Sequence, residues 1–367
     1  MMNIRLLRCF TVLALAPVLY GAPAALASEA AAKPAAAAEK PATVAPTPHI
    51  ALLLPIRSKI FARHATALRE GFMAAAKSQS QPLLPVREYP VSEAVDETLQ
   101  NYRSAIAAGA KVVVGPLTRD GVTALAFGEP VPVPTLALNI PDQTGRVPGN
   151  LYMLSLQVEG EARQAAQLAY RDNRRRAQII VSGTPVQRRT QAAFSAEFSR
   201  LGGTVLAEAI PPDPSRLKSA ARNDADMVFL ALDHEDARIV RAYLGTMPAY
   251  ATSSVNAGDR GALAAFDLAN ITFVDMPWLL EPDHPAVMNY PRPEPGSADI
   301  ERLYALGIDA WRIAQLLLAG ARELKLDGVT GELKLGPEGI IERTLRAGRY
   351  VDGRTRLTEP TTREPSR

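Results

Sequence analysis

Cysteine is nearly absent from this chain: of 367 residues, the one cysteine is Cys9. Nothing after residue 9 can therefore form a disulfide, an iron–sulfur cluster, a thiolate zinc site or a cysteine nucleophile. Aromatic residues make up only 6%, too few for a carbohydrate groove lined with tryptophan and tyrosine. The histidines are His49, His64, His234 and His284. None lies three to five residues from another, so no zinc site is expected. Charge of one sign is also scarce. The net value is +3 from 41 basic and 38 acidic residues, which is no electrostatic footprint for nucleic acid. No Gly-x-Ser-x-Gly elbow, Walker loop or Gly-x-Gly-x-x-Gly turn follows a predicted strand. With no nucleophile, metal set or cofactor loop to nominate, the expectation is a protein that is not an enzyme and carries no cofactor.

What is present is an ordinary globular composition, 47% hydrophobic and 22% charged, over a length that suits more than one domain. Arg5 and Arg8 precede an apolar run over residues 9–20, and Ala25-Leu26-Ala27 follows with small residues at alternate positions. That is the layout of a secretory signal peptide over residues 1–27. The run is about a dozen residues, whereas a spanning helix needs roughly 20. Cleavage would leave Ser28 first, lower the net charge to +1 and remove Cys9. Cys9 lies too early for a lipobox, so the expectation is a soluble periplasmic protein that is not a lipoprotein and has no transmembrane segment. Residues 28–48 are mostly Ala, Pro, Lys, Glu and Thr and predict a flexible tether.

From residue 49 the pattern becomes strand, helix, strand, helix. Continuous apolar runs predict buried parallel strands at 50–54, 84–89, 111–114 and 133–138, with helices at 65–77, 95–109 and 119–126 between them. The rhythm then restarts. Strands are predicted at 151–156, 178–182, 204–209, 227–232, 249–252 and 271–276, and helices at 159–172, 187–201, 235–244 and 262–268. The two series imply an α/β fold of two similarly built lobes with parallel sheets and right-handed crossovers. A proline-rich stretch from Pro277 to Pro295 follows. A long helix is predicted over 297–324, and a glycine-punctuated β tail has strands at 333–335, 340–345 and 350–351. Residues 358–367 are polar and predict a frayed tail.

Seven stretches resemble the LppC-type penicillin-binding-protein activators. They are Ile50-Ala-Leu-Leu-Leu-Pro55, Val113-Val-Gly-Pro-Leu-Thr118, Leu136-Ala-Leu-Asn139, Tyr250-Ala-Thr-Ser253, Asp275-Met-Pro-Trp-Leu-Leu280, Arg302-Leu-Tyr-Ala-Leu-Gly-Ile-Asp309 and Leu326-Asp-Gly-Val-Thr-Gly-Glu-Leu333. The resemblance implies a type I periplasmic-binding-protein fold, similar to the Leu/Ile/Val-binding proteins, with two Rossmann-like lobes joined by three crossings. Lobe one would comprise residues 49–153 plus 280–324, and lobe two residues 154–279 plus 325–357. It also implies a regulator of peptidoglycan synthesis that docks to a penicillin-binding protein, a synthase. Members are typically outer-membrane lipoproteins, and some carry an N-terminal helical domain; neither a lipobox nor such a domain is read here. The alternative is a solute-binding protein of an ABC transporter, closing on a small polar ligand such as an amino acid in the interlobe cleft.

In parallel sheets, ligands gather at the carboxyl ends of strands. The candidates there are Ser58, Thr118, Asn139, Thr184, Thr252, Ser253 and Trp278. Their hydroxyls and amides could hold a polar ligand, but Ser and Thr at such junctions also cap helices, and Trp278 suits hinge packing. Tyr304 and Asp309 do not share a helix face and read as core and cap. Asp233-His-Glu-Asp236 reads as a helix start, and Arg171-Asp-Asn-Arg-Arg-Arg176 as a helix end leading into a strand, where cations suit the negative end of the helix dipole.

Overall fold

A computed structural model describes residues 46–79, 84–206, 211–213, 217, 224–258, 262–294 and 296–358. The expected signal peptide, most of the tether and residues 359–367 lie outside the described residues, as do residues 206–209 of the predicted 204–209 strand except Leu206.

The first series gives β1 (His49–Leu54), α1 (Ala62–Ser78), β2 (Val86–Pro90), α2 (Val95–Ala107), β3 (Ala110–Val114), α3 (Arg119–Gly128), β4 (Thr135–Ala137) and β5 (Leu151–Met153). All five strands are parallel, in the order β2-β1-β3-β4-β5. Every residue of β1 is buried, as a strand covered on both faces requires.

The second series gives α4 (Val158–Arg171), β6 (Arg176–Val181), α5 (Pro185–Arg200), β7 (Thr204–Val205), β8 (Met227–Ala231), α6 (His234–Arg241), β9 (Ala249–Ala251), α7 (Ala262–Asp267) and β10 (Ile271–Asp275). Its parallel strands run β10-β9-β8-β6-β7. Read in chain order, that is the first sheet's arrangement again. Repetition of rhythm in the sequence thus becomes repetition of topology.

The remaining elements are α8 (Pro277–Leu280), α9 (Pro285–Met288), α10 (Ala298–Leu318), β11 (Lys325–Gly328), β12 (Gly331–Leu335), β13 (Ile341–Thr344), β14 (Arg346–Val351) and β15 (Arg354–Leu357). β11, β12 and β13 form a small antiparallel sheet, while β14 and β15 extend the second sheet antiparallel to β10. Ile340 also bridges Met153 of β5.

Three local readings need correction. The long helix ends at Leu318, not 324. Gly320 adopts φ +76°, its N–H bonds to Leu317 O, and that of Ala321 bonds to Leu316 O. This left-handed glycine closure releases the chain into β11. The proline-rich stretch contains two single-turn helices, α8 and α9, each opened by proline in the first turn, where its missing N–H costs nothing. The tail has a β14–β15 hairpin turning on Asp352 (φ 51°) and Gly353 (φ 70°), the Asp-Gly pair that a tight hairpin favours.

The core depends on α1 and α10 packing against each other. Phe72 and Trp311 meet edge to face at 5.2 Å, and both are fully buried. In the second lobe Phe194 stacks on Phe229 at 3.8 Å, with Phe198 beside it.

One pair, an exposed Arg200 with a buried Glu197, carries a pH signature. Arg200 binds Glu197 through Nε and Nη2 at 2.7 Å each, and Gln167 adds a bond of 2.8 Å. The Arg200 hydrogen bonds outweigh desolvation and hold the Glu197 carboxyl down at about 2. A depressed carboxylate contributes stability that is in place above its unfolded value and is lost as pH falls through the folded one. Glu197→Gln should therefore cost about 1 kcal/mol at pH 7. The difference from wild type should shrink as urea denaturation is repeated from pH 5 towards pH 2.

Candidate functional site

The carboxyl ends of the strands place the sequence-predicted residues, and local chemistry engages most of them. Ser58 Oγ accepts from Ile60 N at 3.1 Å and Phe61 N at 3.0 Å. Thr118 caps α3 by accepting from Gly121 N, and Thr184 caps α5 by accepting from Gln187 N. Asn139 donates to Leu117 O at 3.1 Å and accepts from Ile140 N at 3.0 Å, fastening the turn after β4 to the loop that holds Thr118. A cap uses a hydroxyl lone pair and leaves its O–H free, so capping alone does not exhaust these groups. Thr252 is fully buried and bonds to Ser254 at 3.2 Å. Trp278 is also fully buried, 5.5 Å from the Tyr304 ring and beneath the Arg292 guanidinium at 4.2 Å. Its backbone N–H donates to Val329 O.

Ser253 behaves differently because it enters a buried ionic network. Its N–H and hydroxyl both donate to Glu161 Oε2 on α4, at 3.1 and 2.6 Å. Its carbonyl accepts from Arg302 Nη2 at 3.0 Å. Arg302, near the start of α10, also reaches Asn256 O at 2.9 Å and Asp275 Oδ2 at 2.8 Å. Asn256 Nδ2 donates to the same Asp275 oxygen at 2.8 Å. On the other side of Glu161 stands Arg343, 3.6 Å away, which donates to Ser155 O and Thr330 O. Thr330 in turn bonds Asp309 on α10 through its N–H at 2.8 Å and its hydroxyl at 2.6 Å.

The electrostatics follow from burial. Desolvation pulls the Arg302 guanidinium down, but Asp275, with Glu161 and Asp299, more than reverses this and raises it. Desolvation raises the Glu161 carboxyl and lowers the Arg343 guanidinium despite their attraction. Asp309 is likewise raised by burial, with Arg312 and the Thr330 bonds opposing. A buried charge is tolerable only when paired and hydrogen-bonded, and each of these is.

The network joins α10, which covers the first sheet, to the strand ends of the second. Glu161, Asn256, Asp275, Arg302 and Arg343 were not among the expected site residues. A signal for Arg302 and Asp309 was present: charges on the same helical stripe as Ala298, Ala305 and Ile313 imply buried partners. Asp309 is thus no helix cap but the anchor of the Val329–Thr330 turn.

A cavity of about 550 Å³ opens beside this network, with Glu161 and Arg343 in its wall and Gln164, Arg163 and Arg346 around it. None of the seven expected residues lines it. Among the described residues no group of three or more His, Cys, Asp or Glu side chains could hold a metal ion, and no helix is long and apolar enough to cross a membrane.

Comparison with known proteins places this architecture. The family described as "LppC putative lipoprotein" matches residues 30–220 and 215–353. A protein named penicillin-binding protein activator LpoA from Vibrio cholerae is 27% identical, the match covering 82% of this chain and 56% of that protein. One of the same name from Mannheimia succiniciproducens is 26% identical, covering 83% and 54%. The chain thus spans about half the length of the curated relatives it matches. Among solved structures, one titled "Structure of a putative branched-chain amino acid ABC transporter from Chromobacterium violaceum ATCC 12472" is 40% identical, with a TM-score of 0.71 over 83% of this chain and all of that one. The C-domain of LpoA from Haemophilus influenzae, titled a regulator of PBP1A, superposes with a TM-score of 0.70 at 20% identity, over 85% of this chain and all of that domain.

Proposed function

Because this chain belongs to the LppC family, we propose that it is an exported, non-enzymatic regulator of peptidoglycan synthesis that docks to a penicillin-binding protein. The observation that carries this reading is the match, across most of the two-lobed body, to relatives named penicillin-binding protein activator. The ionic network supports it. A body whose lobes are tied through Arg302, Asp275 and Ser253 presents a fixed outer surface and need not open to act. In this reading the lobes divide as residues 49–153 with 280–324 and residues 154–279 with 325–357.

A second reading, a receptor for a small polar ligand, draws on the 40% identical structure whose title names a branched-chain amino acid transporter. It would use the hydroxyls of Thr118 and Thr184, and that of Ser58 if it exchanged its bond to the Glu93 carboxylate for the ligand, together with Asn139, Thr252, Ser253 and Trp278.

One pair of measurements separates the two. Protein beginning at Ser28 is used for affinity purification from detergent-solubilised envelopes, with retained synthases revealed by labelled penicillin. The same protein is heated with a panel of amino acids and peptidoglycan fragments. Docking predicts a retained penicillin-binding protein and no shift in melting temperature. A receptor predicts a shift by mass action, because the ligand binds only the folded form. A shift without a retained synthase overturns the regulator.

A further inference from the structure

A second cavity, of about 500 Å³, lies at the opposite edge of the second sheet, where β9 and β10 begin. Parallel sheets rarely bind ligands at that edge, and it is remote from the capped loops described above. Its walls bring together Arg171 and Arg174 from the end of α4, Arg241 from the end of α6, and Arg349 from β14. Among the described lining residues the only acid is Asp172, and it is already engaged: Tyr250 donates its hydroxyl to Asp172 Oδ2 at 2.7 Å. Burial first, and then this bond, raise the Tyr250 hydroxyl above its ordinary value, so it stays a neutral donor.

In the sequence the run of basic residues from Arg171 reads as a helix end alone. The fold adds two arginines from distant segments and leaves much of their hydrogen-bonding capacity free. Arg174 Nε is buried with no hydrogen-bond partner among the described residues, while another part of the same guanidinium bonds the Tyr250 hydroxyl. Arg349 uses Nε on Thr272 Oγ1 at 2.9 Å, and no other hydrogen bond engages its guanidinium among the described residues. Arg241 binds Ala269 O at 2.5 Å and Gly245 O at 2.9 Å. Those carbonyls would otherwise repel an anion. The end of α4 is closed in the same sense, because Asn173 N and Arg174 N bond back to Tyr170 O and Ala169 O. Arg171 is exposed, and its side chain makes no hydrogen bond among the described residues.

Four guanidinium groups around one cavity repel each other unless an anion lies between them. Guanidinium forks match phosphate oxygens two at a time, and the volume lies within the range of small-molecule sites, about 300–1,000 Å³. We propose that this cavity is a binding site for a small multivalent phosphoryl anion, such as a pyrophosphate or a phosphate monoester of comparable size. Arg171, Arg174 and Arg349 supply the charged contacts and Tyr250 forms the floor.

Calorimetric titration with inorganic pyrophosphate at fixed ionic strength tests this, with sodium chloride and citrate as parallel arms. Saturable binding of pyrophosphate, and weaker or no binding of citrate, is expected. Arg174→Ala combined with Arg349→Ala should weaken the affinity at least ten-fold. Arg171→Ala, which removes no internal bond, should weaken it three- to ten-fold without altering the melting temperature of the unliganded protein. The proposal is overturned if pyrophosphate gives no saturable heat, if Arg171→Ala binds it as the wild type does, or if citrate binds as tightly.

Discussion

Gly307→Ala is expected to destabilise the protein by about 3 kcal/mol or more, although alanine in place of glycine within a helix ordinarily stabilises it by about 1 kcal/mol. The reversal comes from the α1–α10 contact. A Cβ at residue 307 would sit 2.7 Å from Phe72 N and nearer still to Leu68 O, both backbone atoms of α1. From the other side, a Cβ at Gly71 would fall on the Tyr304 carbonyl, with Tyr304 Cα at 3.1 Å. The two helices touch backbone to backbone through paired glycines, and neither side can yield by turning a side chain. Relief requires separating the helices, which loosens the Phe72–Trp311 contact and the core around it. Urea denaturation of the single variants measures the loss. Gly320→Ala is the control for the same substitution where no atom lies within 4 Å of the added carbon; its φ of +76° should cost about 1 kcal/mol.

Arg302→Met should cost about 3–5 kcal/mol, the usual consequence of removing one partner from a buried ion pair. The side chain is 8% exposed, and its partner Asp275 is 1% exposed. Methionine fills similar space but leaves the Asp275 carboxylate facing only Asn256 and the Met276 N–H. The carbonyls of Ser253 and Asn256 also lose their donor. Arg302→Lys should recover part of the loss but not all, since one ammonium cannot reproduce a fork that reaches Asp275 and both carbonyls. Arg302→Met with Asp275→Asn should be less damaging than the two single losses added together, because the second change removes the charge that the first leaves stranded. Equal sums would mean that the two groups act independently, against the geometry.

Most of the framework was legible in the sequence because it rests on signals of short range. Continuous apolar runs such as residues 50–54 and 227–232 could only be covered strands, and the helices between them show their buried stripes at regular spacing. What escaped was whatever depends on a partner far along the chain. β11 carries only Leu326 as an apolar residue and becomes a strand by pairing with β12. Of the β14–β15 hairpin only residues 350–351 read as strand in the sequence, since β15 is Arg-Thr-Arg-Leu with one apolar residue, and its place at the edge of the second sheet is set by the pairing of Arg346–Arg349 with Thr272–Asp275. The expected site residues were chosen for hydroxyls at strand ends, which is where local rules put helix caps as well. The residues that bridge the lobes are instead charges set within apolar stretches: Glu161 on α4, Asp275 at the end of β10, Arg302 on α10. Three of the stretches that mark the family meet at one point, since Ser253, Asp275 and Arg302 each come from a different one.

The pairing of α1 with α10 also governs the order in which the protein can come into being. The first sheet is complete by residue 153, yet the helix that seals its face is made only after the whole second series. Phe72 lacks its edge-to-face partner until Trp311 exists. The outer edge of the second sheet comes later still, with β14 and β15. Contacts so distant in sequence are slow to close, because the intervening chain must first surrender its freedom. During synthesis, then, neither half can reach its final state ahead of the other, and the polypeptide stays pliable until its closing segment arrives.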